Sequence, residues 1–187
     1  MNHEVRYTVK LTPNYLEING LRVHEATPGE SFLMKLYHIY NMEYPKFFKM
    51  DVLCKVGFLA SEVLLAAEGC ERFVPRRDRA VLLFNHHSSL HADCTFQRTI
   101  ANLDDFYPSP SVFVYTLPNI VTGEIAIRNK YQGESSFILL PEKSQKVMQQ
   151  AIDRAFLDPE TTSVLTGWVE AVSDTEFEAA LELVVSS

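Results

Sequence analysis

The run from Asn85 to Cys94, Asn-His-His-Ser-Ser-Leu-His-Ala-Asp-Cys, brings three imidazoles, two hydroxyls, a carboxylate and a thiol into one short stretch. With a helix starting at Leu90, His87, His91 and Cys94 repeat at helical spacing and could present donors on one face. Zinc takes such nitrogen and sulfur donors, and three of them plus a water make a catalytic-type site. The pattern is incomplete. There is no Cys-x-x-Cys pair, no His-Glu-x-x-His and no second cluster to close the shell. His87 falls before the first full turn, and caps and ordinary polar surface account for the same residues. No metal is expected. Ser88 or Ser89 with a histidine and Asp93 has the composition of a hydrolytic triad. The Gly-x-Ser-x-Gly elbow is missing, and neighbours on one helix do not build triad geometry. The chain's seven glycines form neither a P-loop nor a Gly-x-Gly-x-x-Gly, so nothing supports a phosphate cradle. Arg72, Arg76, Arg77 and Arg79 make the one basic patch, read as a solvated loop rather than an anion site.

A second place for chemistry is the strand, turn and helix expected over residues 135–156. Ser135 to Leu140 (SSFILL) reads as a strand, and the turn is Leu140-Pro141-Glu142-Lys143-Ser144. Proline suits a first helical turn, so the helix is expected from Glu142 to Phe156. A side chain there feels the positive end of the helix dipole. That field would favour the thiolate of a cysteine and raise its nucleophilicity. A glutamate is stabilised in the same way but cannot form a thioester. Taken on its own, Glu142 is an ordinary first-turn acid.

The elements that position these groups follow from periodicity. Tyr15 to His24 alternates like a strand, or a hairpin turning at Asn19-Gly20. Phe47 to Ala67 reads as a helix that is apolar on nearly every side, which calls for burial between layers. Ala80 to Phe84 and Phe137 to Leu140 are short apolar runs, as in strands buried on both faces. Ser88 or Ser89 is expected to cap a helix from Leu90 to Asn102. Residues 103–111 read as a loop with two prolines. Val112 to Ile127 has no clear period. Ser163 to Val172 is a strand, and Phe177 to Val185 a strand or a helix. Strands alternating with helices point to an α/β fold with a mostly parallel sheet covered by helices.

The 187 residues suit a single domain with a substantial core. No apolar run is long enough for a membrane span, and the first residues lack a secretory h-region. Three irregularly spaced cysteines suit a reducing, cytoplasmic setting. The net charge of −7 is uneven: residues 1–100 hold 12 basic and 11 acidic side chains, residues 101–187 hold 5 and 13. The acidic half argues against nucleic-acid binding and against direct docking of an acidic carrier protein on that half.

Several segments, in order, resemble the β-ketoacyl synthase family of the thiolase superfamily. They are the helix FFKMDVLCKVGFLASEVLLAA, the strand and turn AVLLFNHHSSLHAD, and the strand SVLTGWVEA. Between them, TLPNIVTGEIAIR is similar to the family's Pro-Asn-x-x-x-Gly-x-Ile-Ala-Ile block at Pro118, Asn119, Gly123, Ile125, Ala126 and Ile127. Gly133 resembles the glycine before the nucleophile strand. The resemblance covers about residues 12–175.

It implies a thiolase-like layered fold, of which residues 1–187 form a single truncated domain, the N-terminal half only. It also implies that Glu142 stands where the family has its catalytic cysteine. The family's two catalytic histidines lie in a second half, and His3, His24, His38, His86, His87 and His91 match neither motif. Condensation needs a thiolate and imidazoles that stabilise the enolate and oxyanion, so no condensing activity is expected. The implied role is that of a pseudoenzyme of the chain-length-factor type, in fatty-acid, polyketide or polyene biosynthesis. Its partner is an active ketosynthase in a heterodimer, or itself in a homodimer, with acyl carrier protein served only indirectly. Phe113, Leu117, Asn119, Ile120 and Gly123 are expected at the interface or acyl tunnel. The helix 47–67 is expected to need a partner's cover. Two alternatives are a malonyl-thioester decarboxylase using Glu142 and a homo-oligomeric structural protein. No cofactor, nucleic acid or membrane is implied.

Overall fold

A computed structural model describes residues 3–102 and 108–186 of the chain. Its centre is a seven-stranded sheet. The N-terminal meander is β1 (His3–Leu11), β2 (Tyr15–Ile18) and β3 (Leu21–Glu25). The hairpin β2–β3 turns where Asn19 and Gly20 both take positive φ, 50° and 79°, the combination a two-residue turn needs. The Asn19 side chain accepts the Thr8 amide at 2.9 Å and pins the turn to β1.

Next come α1 (Phe32–Ile39), a 3-10 helix (Pro45–Lys49) and α2 (Val52–Glu68). β4 (Arg79–Asn85) follows, then α3 (Leu90–Ile100), α4 (Pro110–Val114) and α5 (Ile120–Asn129). The chain ends with β5 (Ser135–Leu139), α6 (Gln145–Ala155), β6 (Ser163–Ser173) and β7 (Glu176–Ser186). Spatial order is β3-β2-β1-β7-β6-β4-β5. No helix among the described residues is long and apolar enough to cross a membrane.

The fold is α/β as expected, but the sheet is not mostly parallel. β4 runs parallel to β5 and β6, with Val81 opposite Ser135 and Leu165. The pairs β6–β7, β7–β1, β1–β2 and β2–β3 are antiparallel. Connection length explains the difference. β1 to β3 and β6 to β7 are joined by short turns, which only antiparallel neighbours allow, whereas helices carry the chain between parallel strands.

α2 packs on β1, β6 and β7 and against α1 and α5. Every residue from Val52 to Leu65 except Lys55 is buried. A Cβ on Gly57 would lie 2.6 Å from Val121 of α5 and 3.3 Å from Val169 of β6, so the helices and sheet close around it. The chain thus covers its own apolar helix, and the cover expected from a partner is already supplied within it. On the opposite sheet face, α6 places Met148, Ile152 and Phe156 on Ala80, Leu82, Phe84, Val164 and Trp168. Beyond α6 that face turns polar: Thr8, Lys10, Glu17 and Glu182 stay partly exposed. Alternation along β1 and β7 places these polar side chains on that face.

Other boundaries move. The helix expected from Phe47 begins at Val52, where Asp51 caps it, and Phe47 lies in the 3-10 helix. β5, expected to be buried on both faces, is an edge strand with exposed ends, because it pairs with β4 alone. Of the loop expected over 103–111, residues 103–107 lie outside the described residues, and Pro110 starts α4. The unclassified 112–127 stretch divides into α4 and α5, and 177–185 is strand β7.

Candidate functional site

The strand ends β4 and β5 lie side by side, so the loops that leave them touch. The Leu140 amide donates to the Asn85 carbonyl at 2.9 Å. His86 Nδ1 is 3.0 Å from the Leu140 carbonyl. Asn85 is fully buried and holds the turn after β4: its Nδ2 donates to the Ser88 carbonyl at 2.9 Å, and its Oδ1 accepts the Ser88 amide at 3.2 Å. This is a side-chain-built turn of the Asx kind, and it carries Ser88 at φ 55°. From β6, Glu170 Oε2 accepts the His86 amide at 2.8 Å, and Oε1 lies 3.4 Å from His87 Nδ1.

Glu142 does lie in this strand-to-helix connection, but not in the helix. α6 starts at Gln145 with Ser144 in the N-cap position, so Pro141 and Glu142 belong to the turn. Ser144 takes the N-cap position through its extended backbone, without a side-chain hydrogen bond to the helix amides. Glu142 is exposed, and no hydrogen bond to its carboxylate forms among the described residues.

The histidine-rich run is dispersed rather than gathered. His87 faces Glu170, His91 lines a cavity beside Asp51, and Cys94 is exposed. Among the described residues, no three His, Cys, Asp or Glu side chains converge as a metal site. Ser89 occupies the N-cap of α3 without capping it through its side chain. Its hydroxyl donates instead to the Thr116 carbonyl at 2.5 Å and ties α3 to the turn after α4.

Three of the four clustered arginines are internal wiring, and only Arg77 is solvent-exposed as expected of a loop. Arg79, with its side chain 2% exposed, forks onto Glu68 at 2.6 and 2.7 Å and also reaches Ser163. Arg72 pairs with Glu62 and with Asn129 at 2.8 Å. Arg76 forks onto Asp78 at 2.8 and 3.0 Å and holds that carboxyl well below its usual range.

The predicted interface residues fall on α4, α5 and the turn between them. Phe113 and Leu117, four apart, are 52% and 50% exposed. Asn119, Gly123 and Ile127 also recur every fourth residue, and Ile127 is 63% exposed. A Cβ on Gly123 would meet nothing within 4 Å, so the stripe is open to close approach. Ile120 turns the other way, packing on the core. Beside α5, Tyr44 donates to Glu124, and burial, then this bond, raises the phenol well above its usual range. Sequence reasoning did not single out Glu170, Tyr44, Glu124 or Asp51. Of these, Asp51 carried a local signal, an acid just ahead of a long apolar helix.

No protein-family model matches the chain, and no curated protein does. Solved structures do. The whole chain superposes on a structure described as the ishigamide ketosynthase/chain length factor, with a TM-score of 0.74 and 17% identity. It spans 63% of that chain's length. It also superposes over its full length on a chain of the ketosynthase (ApeO) in complex with its chain length factor (ApeC) from Xenorhabdus doucetiae. There the TM-score is 0.63, the identity 12%, and the share of the other chain 80%. The fold is therefore of the kind seen in ketosynthase and chain-length-factor assemblies.

Proposed function

We propose that this chain is a noncatalytic partner subunit of an active ketosynthase, of the chain-length-factor type, in a polyketide, polyene or fatty-acid pathway. One observation carries the reading. Glu142, an acid that cannot be acylated as a cysteine is, occupies the strand-to-helix turn of a fold shared with ketosynthase and chain-length-factor structures. Two surfaces support it. Phe113 and Leu117 around α4, and Ile127 beside the open Gly123 on α5, are exposed apolar side chains of the kind found in binding patches. β5 has a sheet neighbour on one side only, and Leu139 on it is half exposed. Such an edge can accept a strand from another chain. The acyl tunnel would be walled partly by Phe113 and Leu117.

The test is co-expression with a ketosynthase encoded beside this chain, followed by size-exclusion chromatography with light scattering. A one-to-one complex that Leu117→Asp or Ile127→Asp disrupts, and products whose length shifts when the chain is omitted, are the expected results. A homodimer indifferent to the synthase, or an acyl adduct on this chain, overturns the reading.

A further inference from the structure

A cavity of about 460 Å³ opens between the start of α2, the helices α3 and α4, and the turn from β6 to β7. That volume lies within the range of small-molecule sites. Val52, Ala92 and Val112 give it an apolar floor. Its rim carries Lys49, at the end of the 3-10 helix, and Arg98, in the last turn of α3. Neither has an ionic partner among the described residues.

Among the described residues, two acids also line it, and they limit what fits. The Asp51 carboxyl already accepts the Cys54 amide at 3.0 Å and the Leu53 amide at 3.3 Å, and burial lifts its pKa to about 6. Asp174 is exposed at the mouth. Burial, followed by its acidic neighbours, pushes the Tyr115 phenol to about 12, so it remains a donor. At neutral pH a carboxyl with a pKa of about 6 is mostly ionised, so among the described residues two cations face two carboxylates and the lining is close to neutral. A dianion would meet both acids in a small space and is opposed more strongly than a monoanion, whose single charge one cation can balance. A planar carboxylate also suits the fork of a guanidinium that has no ionic partner among the described residues.

We infer that this cavity binds a small organic monocarboxylate, with its head between Arg98 and Lys49 and its alkyl body on Val52, Ala92 and Val112. His91 and Tyr115 supply further donors from α3 and the end of α4. The inference stands independently of the ketosynthase-partner reading.

The test is calorimetry and ligand-observed NMR on the full chain, together with its partner where the two purify as a complex. The probes are hexanoate, hexanol and hexyl phosphate. Hexanoate is expected to bind most tightly. Arg98→Ala and Lys49→Ala are each expected to weaken it about tenfold, one charge-assisted hydrogen bond's worth. Both side chains are exposed, so the melting temperature should hold. Equal affinity for hexanol, tighter binding of hexyl phosphate, indifference to both substitutions, or no hexanoate binding at millimolar concentration each overturns the assignment.

Discussion

Glu170 and His86 are 84 residues apart in the chain, yet the carboxylate of one accepts the backbone amide of the other at 2.8 Å. The bond fastens β6 to the turn that follows β4, and His86 in turn meets the Leu140 carbonyl at 3.0 Å. The loop carrying Glu142 is thus held from beneath by a residue on a third strand. Glu170→Ala leaves the His86 amide without this acceptor. An amide bonded to a charged group contributes about 1.5–3 kcal/mol, so a loss of about 2 kcal/mol is expected. Urea unfolding of the variant reads it as a lower midpoint with an unchanged slope. An unshifted midpoint would mean that the bond does not support the turn.

The Arg79 and Glu68 pair predicts an asymmetry between its two halves. Burial penalises both charges, but Arg79 still holds the Glu68 carboxyl below its ordinary value. Removing the acid strands a buried guanidinium, which costs about 3–5 kcal/mol. Replacing the whole pair by Glu68→Leu with Arg79→Met removes the stranded charge and should recover much of that loss. The comparison is made by thermal unfolding of Glu68→Leu and the double variant. A double variant no better than the single one contradicts the account.

Asp51 gives the chain a predictable pH response. Its folded pKa, about 6, is above the ordinary carboxylate value because burial outweighs its two amide bonds. The folded state therefore keeps a proton that the unfolded chain releases. Stability from this group is fully present below about pH 4 and is lost as pH rises to about 6. Two units correspond to about 2–3 kcal/mol. Asp51→Asn keeps one acceptor for the α2 amides and should flatten that slope. Denaturant midpoints measured between pH 4 and 8 decide it: parallel profiles for the two proteins refute the assignment.

Gly167 offers a fourth test. It sits in β6 at φ 145°, and a Cβ there would lie 2.1 Å from the Ala180 carbonyl oxygen on β7. Backbone atoms cannot swing aside, so Gly167→Ala forces the two strands apart at the pair that closes the sheet centre. A loss of at least about 3 kcal/mol is expected, enough to leave a marginal domain largely unfolded. Near-native circular dichroism and melting would show that the strands tolerate the methyl group.

What the residues reveal in advance depends on how local the physics is. α2 and β4 were legible because an unbroken apolar run has few alternatives to burial. The hairpin at Asn19-Gly20 was legible because that pair supplies its own positive φ. β1 was missed although Val5, Tyr7, Val9 and Leu11 alternate along it, and α1 although Leu33, Leu36 and Tyr37 share a face. The edge position of β5 depends on which strand lies beyond it, and its apolar run says nothing of that. The arginines looked solvated because Glu62 and Glu68 lie 10 and 11 residues upstream on a different element. The cavity at Asp51 is assembled from several separate segments, so no window of sequence contains it.

The place of Glu142 leads to the last prediction. It is exposed in the turn between β5 and α6, outside the first turn of the helix, with no bond to its carboxylate among the described residues. Substituting it should therefore leave the fold intact: Glu142→Ala and Glu142→Cys are expected to unfold within about 0.5 kcal/mol of the parent. Cysteine at this position is solvent-accessible and should be alkylated by iodoacetamide. Lying three residues ahead of α6, it gains little from the helix dipole, which acts over the first turn. Its alkylation should therefore follow pH with an apparent pKa near the ordinary thiol value of about 8.5. The introduced thiol should also fail to condense malonyl and acyl thioesters, because His86 and His87 are committed to the Leu140 carbonyl and Glu170 rather than turned toward the position. Mass spectrometry after incubation with an acyl thioester, alongside a condensation assay, separates the outcomes. Product formation by Glu142→Cys, or a thiol pKa several units below the ordinary value, would show that the turn retains a working nucleophile site.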